Sequence, residues 1–171
     1  MKILISGTPG SGKTTLCKKV YEQFKDRINI SGVITEEERV SGKRVGFKIK
    51  KLGSKDWVWL ANIWGPGARF GKYYIFLKNI NKMIEWIEEV EKNSDLLIID
   101  EYGPMELMNP NFKRKIIDLI ESDKNIILTA HRKRYRELLE REELILIWLT
   151  PLNRKEGFER IKEIIKREFN L

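Results

Sequence analysis

Short apolar runs rich in β-branched residues alternate along the chain with longer stretches in which apolar residues recur every three or four positions. Most of the short runs are almost continuously apolar, which is typical of strands buried on both faces of a parallel sheet. The predicted strands are residues 2–6, 28–35, 95–100, 125–130 and 144–149.

The longer stretches have the periodicity of amphipathic helices. Their apolar stripes are Leu16, Val20 and Phe24; Ile80, Met83, Ile84, Ile87 and Val90; Phe112, Ile116, Ile117 and Ile120; Tyr135, Leu138 and Leu139; and Phe158, Ile161, Ile165 and Phe169. Strands that alternate with helices predict an α/β fold of three layers, in which helices cover both faces of a mostly parallel sheet.

One segment, residues 36–78, breaks this alternation. Turn signals at Ser41-Gly42 and Gly53-Ser54 separate stretches that alternate like exposed-edge strands. We therefore predict an antiparallel β insertion attached to the parallel sheet, within a single domain that spans residues 1–171. The insertion contains three tryptophans and the glycines of GPGARFG, and is therefore a candidate for the part of the chain that determines ligand specificity.

Composition narrows the class of protein. The chain of 171 residues is 42% apolar and 10% aromatic, which favours a buried core over disorder. No apolar run approaches the ~18 residues that a membrane helix needs. The first predicted strand begins almost at Met1, so we expect a cytoplasmic protein without a signal peptide. Cys17 is the only cysteine, which excludes an intramolecular disulfide and a Cys-rich zinc site.

Charge points to anionic ligands and to a thermophilic source. Lys and Arg total 33 against 25 for Asp and Glu, and the net charge of +8 suits nucleotides or nucleic acid. Solvated helix faces are the alternative explanation for this excess. Lys, Glu, Arg and Ile are abundant and Gln23 is the sole glutamine, a balance typical of heat-loving organisms.

The octet GTPGSGKT, which begins at Gly7, matches every fixed position of the phosphate-binding pattern G-x-x-x-x-G-K-[ST] between a strand and a helix. Gly7, Gly10 and Gly12 permit close approaches that a Cβ would block. Amide N–H groups can then converge at the helix N-terminus, where anions are favoured. We expect Lys13 to reach the β- and γ-phosphates and the Thr14 hydroxyl to bind Mg²⁺.

A second candidate motif, LLIIDEYGPME, begins at Leu96. Its strand ends at Asp100, and ligands of open parallel sheets lie at that end of the strands. Asp100 can contact Mg²⁺ opposite Thr14, and Glu101 can polarise a water aimed at the γ-phosphate. Glu106 is either a further water- or metal-positioning group or a helix-start carboxylate. In one division of P-loop proteins, a further strand lies between the strand of the glycine loop and the strand of the metal-binding aspartate, and a catalytic acid accompanies that aspartate. The Asp100-Glu101 pair agrees with that division, by analogy.

Basic residues follow the last two predicted strands. His131 can sense the γ-phosphate, and Arg132 or Arg134 can act as an arginine finger. The alternative is a solvated basic helix start, and the cluster also allows RNA contact. Asn153 and Arg154 can contact the base, while Asn153 can instead cap the last helix.

Arg39 is a further candidate, because the second predicted strand ends beside the glycine loop. Its neighbours Glu36 and Glu37 can hold it near phosphate. An exposed charged turn is the alternative interpretation of this segment.

Several motifs occur together in order: GTPGSGKTTL, SGVITEEERVSGKRVGFKI, FGKYYIFL, LLIIDEYGPMEL and LTPLNR. Together they resemble the thermophilic nucleoside-triphosphate phosphatase family, whose animal members are called cancer-related nucleoside triphosphatases, over essentially the whole chain. The first motif is generic to P-loop proteins, whereas the second and fourth are more discriminating. Val33 and Tyr102 depart from the family's usual Phe and aliphatic residue, but neither removes a group that hydrolysis needs.

The resemblance implies a RecA-like P-loop core with a β insertion and slow, Mg²⁺-dependent hydrolysis of several nucleoside triphosphates (NTPs). With the motif chemistry, it gives Lys13 and Glu101 as catalytic candidates and Thr14 and Asp100 as Mg²⁺ ligands. The candidate nucleotide-binding residues are Gly7, Thr8, Pro9, Gly10, Ser11, Gly12, Lys13, Thr14 and Thr15, followed by Leu97, Ile98, Ile99, Asp100, Glu101, Tyr102, Gly103 and Pro104.

Three functions are compatible with these residues. The first is an NTP phosphatase of low base specificity, acting on ATP, GTP, CTP and UTP. The second is a nucleotide or nucleoside kinase, although an arginine-rich lid of the usual kind is missing from the sequence. The third is a non-enzymatic or RNA-stimulated module. We expect the first, as a monomer, with nucleic acid a possible but not required partner.

Overall fold

Nine strands pair into a single mixed sheet in the computed structural model, which describes residues 1–141 and 143–171. The strands are β1 (Lys2–Gly7), β2 (Ile30–Val40), β3 (Lys43–Lys51), β4 (Trp57–Asn62), β5 (Ala68–Phe70), β6 (Tyr73–Ile75), β7 (Leu96–Tyr102), β8 (Ile126–Ala130) and β9 (Ile145–Leu149). The helices are α1 (Lys13–Phe24), α2 (Leu77–Val90), α3 (Pro110–Glu121), α4 (Arg136–Leu139) and α5 (Arg154–Phe169), with a 3₁₀ turn at Glu106–Met108.

The parallel half of the sheet has the order β2-β7-β8-β1-β9. These strands overlap the five predicted runs and begin at most two residues after them, so the predicted α/β class is confirmed. Strand β8 lies between β1, which leads into the glycine loop, and β7, which carries Asp100. The carboxyl ends of all five strands therefore meet at one edge, where the phosphate loop and the second motif come together.

The predicted antiparallel part of the sheet is also confirmed. It starts inside β2, whose second half pairs with β3, and continues through β4, β6 and β5. The segment predicted to be β ends slightly earlier than residue 78, because α2 begins at Leu77. A bulge between Phe47 and Lys48 interrupts the pairing of β3 with β4. The single-domain organisation stays a prediction from the sequence.

Two apolar clusters sandwich the sheet. Leu4 of β1 packs with α2 and α3 on one face, whereas Ile3 and Ile5 pack with α1 and α5 on the other. The predicted stripe at residues 135–139 forms only the single turn of α4. Within the described residues, no helix combines the length and apolar character that crossing a membrane requires.

Candidate nucleotide-binding site

The phosphate loop is a tight connection between β1 and α1. A Cβ placed on Gly7 would lie 2.0 Å from the Leu149 carbonyl oxygen, so only glycine allows β1 to approach the end of β9 this closely. The Thr8 amide then donates to that same oxygen at 3.2 Å, and the Ser11 amide donates to the Thr8 carbonyl at 3.1 Å. Because the first amides of α1 have no acceptor within the helix, they are available to an anion.

Arg154, the first residue of α5, clamps the backbone of this loop. Its Nε donates to the Ser11 carbonyl and its Nη2 to the Gly10 carbonyl, both at 2.8 Å. The guanidinium thus holds two loop carbonyls and makes no use of the loop amides, which stay available to the phosphates. The sequence predicts that Arg154 can contact the nucleotide base. In the structure, its side chain binds the phosphate loop instead.

We predict that Arg154→Met raises the KM for nucleotide by about tenfold with little change in kcat, because hydrogen bonds from a charged donor contribute about 1.5–3 kcal/mol. The methionine keeps the aliphatic stem and removes both contacts to the loop. Steady-state phosphate release measures the effect, with Arg160→Met, an exposed position of the same helix, as the control. An unchanged KM in the Arg154 variant would contradict the clamp.

Asp100 is fully buried at the carboxyl end of β7. Its Oδ2 accepts from the Thr14 hydroxyl at 2.7 Å and from the Thr35 amide at 3.3 Å, and its Oδ1 accepts from the Thr129 hydroxyl at 2.6 Å. Burial raises the pKa of Asp100, while these hydrogen bonds and the charge of Lys13 oppose that shift. Sequence reasoning missed both Thr35 and Thr129, although each stands near the carboxyl end of a predicted strand.

Thr14 and Asp100 fit the donor set that Mg²⁺ requires. Their oxygens are hard ligands and already lie 2.7 Å apart. Across residues 1–141 and 143–171, no three His, Cys, Asp or Glu side chains are grouped so as to hold a metal by themselves. Mg²⁺ is usually held by one or two protein oxygens together with substrate phosphates and water. The hydroxyl–carboxylate pair beside the phosphate loop is compatible with that form of binding.

Two further carboxyl groups converge next to Asp100. Burial, followed by the negative charge of Asp100, raises the pKa of Glu101 to about 7, and Lys13 opposes the shift. Glu106 is only 4% exposed, and burial together with the charge of Glu101 raises its pKa well above the usual range. A Cβ built on Gly103 would lie 3.0 Å from Oε1 of Glu101 and 2.8 Å from Oε2 of Glu106. Glu106 therefore begins the 3₁₀ turn but is not a solvated helix-start residue.

A cavity of about 630 Å³ opens above these groups. It is lined by Gly10, Ser11, Gly12, Lys13, Thr14, Thr15, Leu16, Lys18, Lys19, Thr35, Glu36, Glu37, Phe47, Glu101, Leu149 and Arg154. Of the second predicted nucleotide-binding segment, only Glu101 lines it. Leu97, Ile98 and Ile99 lie in the apolar core of β7, and Pro104 is exposed.

The basic cluster after β8 lies outside this lining. Burial lowers the pKa of His131, with the charge of Lys13 the next cause, and its Nδ1 accepts from the Lys133 amide at 3.2 Å. Arg134 pairs with Glu137 at 3.1 Å, and Glu137 also accepts from the Tyr102 hydroxyl. Of the two arginine-finger candidates, Arg132 is exposed and Arg134 is half-buried. The arginine-finger assignment thus stays a prediction.

Asn153 and Arg39 have structural roles. Asn153 occupies the predicted N-cap position of α5, but its side chain makes no capping hydrogen bond to the helix. It accepts from the Thr150 amide and donates to the Trp148 carbonyl, both at 2.8 Å. Its amide braces the loop before the helix instead. Arg39 pairs with Glu37 at 3.1 Å near the exposed end of β2. The segment is thus exposed and charged, as the alternative interpretation predicts, but it is a strand and not a turn.

Comparison with known proteins agrees with this geometry. A family model described as NTPase matches residues 2–162. Nucleoside-triphosphatase THEP1 of Archaeoglobus fulgidus is 39% identical over 168 residues, or 97% of this chain and 99% of the relative. The counterpart of Methanocaldococcus jannaschii is 39% identical over 163 residues, or 94% of this chain and 95% of the relative.

The solved structures agree as well. The crystal structure of THEP1 from the hyperthermophile Aquifex aeolicus superposes with a TM-score of 0.84 at 30% identity, covering 98% of this chain and 100% of that chain. The solution structure of a human cancer-related nucleoside triphosphatase shares the fold, with a TM-score of 0.79 at 24% identity and 97% of each chain covered. The resemblance seen in the sequence is therefore confirmed, and the chain belongs to the NTPase family that contains THEP1.

Proposed function

We propose that this protein hydrolyses nucleoside triphosphates to nucleoside diphosphates and phosphate, that the reaction depends on Mg²⁺, and that the base is recognised only weakly. The observation that carries the proposal is the meeting of three groups in one cavity. Lys13 and Thr14 line it from the phosphate loop, and Glu101 lines it from the end of β7. The names of the relatives, all nucleoside triphosphatases, support the same class of reaction.

Each residue has a task that its position supports. The loop amides and Lys13 bind the β- and γ-phosphates and offset their charge. Thr14 and Asp100 would hold Mg²⁺, which when bound supplies positive charge against the phosphate oxygens. Asp100 is kept in place for this by Thr129 and by the amide of Thr35.

Glu101 is the group that favours water as the acceptor. Its carboxyl group lies beside the phosphate loop and has no hydroxyl, amine or guanidinium partner among the hydrogen bonds and ion pairs of the described residues. A carboxylate in that position can orient a water molecule towards the γ-phosphate and accept its proton. In a kinase, the acceptor hydroxyl would have to occupy the position of this attacking water.

Weak base recognition follows from the groups around the outer part of the cavity. The one amide side chain in the loop after β9, Asn153, is already bonded to Thr150 and Trp148. Arg154 is bonded to the phosphate loop, and Phe47 and Leu149 offer apolar contacts that any base can make. The expected cytoplasmic location and monomeric state stay predictions.

Phosphate release measured with ATP, GTP, CTP and UTP, with and without Mg²⁺, tests the proposal. We expect all four to be hydrolysed only with the metal, with kcat/KM values within about tenfold, because one distinguishing hydrogen bond is worth about 1 kcal/mol. A parallel assay with γ-labelled ATP and a panel of nucleosides and nucleotides checks the alternative. Label transferred to an acceptor would indicate a kinase, and hydrolysis of a single NTP would contradict weak base recognition.

A further inference from the structure

The β insertion exposes a group of aromatic rings on one face of β3–β6. We call Trp57, Trp59, Trp64 and Tyr74 the aromatic face. Trp57 and Trp59 meet edge to face with ring centroids 5.5 Å apart, and Trp59 and Trp64 meet in the same way at 6.0 Å. Trp57 is 43% exposed and Trp64 is 61% exposed. Ring surface of this size is uncommon on the outside of a protein unless it has a binding role.

The other face of these strands, opposite the aromatic face, is buried against α2. Ile49, Leu60 and Ile75 are at most 1% exposed and belong to the apolar cluster that contains Ile80 and Met83 of α2. Helix α2 packs against both β3 and β4. The core is therefore complete without the aromatic face, and its tryptophans are not needed to close it.

Cations are interleaved with the rings. Lys48 Nζ lies 4.1 Å from the ring centroid of Trp57 and 5.3 Å from that of Trp59. The Arg69 guanidinium lies 5.3 Å from the ring centroid of Tyr74. Residues 36–78 contain ten Lys or Arg and four Asp or Glu, a net charge of +6 out of the +8 of the whole chain.

The distribution of charge is uneven along the face. Glu36 and Glu38 of β2 are paired with Lys50 at 2.6 Å and with Lys48 at 3.2 Å. Lys55 and Arg69 are exposed cations of the same segment, and Arg69 lies over the Tyr74 ring. A ligand that covers the rings therefore meets a surface with an excess of positive charge.

We propose that the aromatic face binds single-stranded nucleic acid by stacking unpaired bases on its exposed rings while Lys and Arg side chains contact the phosphates. Aromatic rings on a sheet surface take two or three bases in this way. Neighbouring strands lie about 4.8 Å apart, so the four strands β3, β4, β6 and β5 span a width of about 15 Å. A duplex does not fit, because its bases are already stacked on one another. The inference is independent of the proposed hydrolysis of NTPs.

Fluorescence anisotropy of labelled oligo-U and oligo-dT of about 10 nucleotides tests the inference, since single-strand sites cover about 4–16 nucleotides. We expect binding to the full chain at low salt and weaker binding of a duplex of the same length. The double variant Trp57→Ala/Trp64→Ala should bind at least about fivefold more weakly, because each stacked base is worth about 1–3 kcal/mol. The RNA and DNA arms show whether a 2′-hydroxyl contributes.

Trp148→Ala is the matched control. Trp148 is 39% exposed on β9, at the opposite edge of the sheet, and should leave oligonucleotide binding unchanged. Arg69→Met, which removes an exposed charge beside the Tyr74 ring, should make the slope of log K against log salt shallower by about 0.7 for a lost phosphate contact. Melting temperatures of all variants check that the fold is retained.

Three results would overturn the inference: no binding of either single strand at low salt, binding that is unchanged in Trp57→Ala/Trp64→Ala, or concentration-dependent self-association in sedimentation that the double variant abolishes. The last would identify the face as a contact between copies of the chain. Phosphate release without oligonucleotide should be the same in the double variant and the wild type. The two proposals can therefore fail separately.

Discussion

Replacement of Glu101 by Gln is expected to reduce phosphate release by about 10²- to 10⁴-fold, the usual contribution of a general base, while nucleotide binding is retained. Gln has the same size and preserves the shape of the cavity beside Lys13 and Thr14. It cannot accept a proton from water. Single-turnover phosphate release and a nucleotide titration separate the two effects.

Glu36→Gln is the matched control for this variant, because Glu36 lines the same cavity. Its carboxylate is neutralised by Lys18 and Lys50, so it is poorly placed to accept a proton. We expect its turnover to stay close to that of the wild type. If Glu101→Gln keeps full turnover, or if Glu36→Gln loses as much, the water-activating role does not belong to Glu101.

The glycine loop and Asp100 could be predicted from the sequence, because each is specified by the local pattern of residues around it. The glycine loop follows an apolar strand and precedes a helix, and Asp100 ends a second apolar strand. Parallel strands end at the same edge of the sheet, so these two motifs had to meet even though β8 separates their strands. The hydrogen bond between Thr14 and Asp100 is the direct outcome.

The position of Arg154 depended on tertiary structure. It reaches the phosphate loop because β9 pairs with the outer side of β1, so that α5 starts beside Gly10 and Ser11. Periodicity identifies β9 as a strand but does not say which neighbour it takes. A cation at the start of the last helix was thus equally compatible with the base and with the loop.

The aromatic face shows a second limit of sequence reasoning. In β4, Trp57 and Trp59 alternate as expected for one face of a strand. The bulge pairs Phe47 with Ala61 and Lys48 with Trp59, so Leu60 has no partner of its own and the alternation shifts by one residue. Simple counting across the bulge would therefore assign the later residues of β4 to the wrong face.

The convergence of Glu101 and Glu106 beside Gly103 leads to the second large expected effect. A Cβ at residue 103 would lie within 3.0 Å of a carboxyl oxygen of each glutamate. Both atoms are the ends of flexible side chains, so they can move aside at little cost to the fold. Glu101 would then be displaced from the water that it orients, and a misplacement of about 1 Å can cost about 10²-fold in rate.

Gly103→Ala is thus expected to lower kcat by roughly 10²-fold while KM and the melting temperature change little. Gly157→Ala is the control, because a Cβ there meets Ile147 at an ordinary 3.7 Å inside α5. Alanine in a helix interior is favoured over glycine by about 1 kcal/mol, so this variant should be fully active and slightly more stable. Equal activity of the two variants would show that the position of the Glu101 carboxylate is not critical, whereas a large drop in the melting temperature of Gly103→Ala would show that the carboxyl groups cannot move aside.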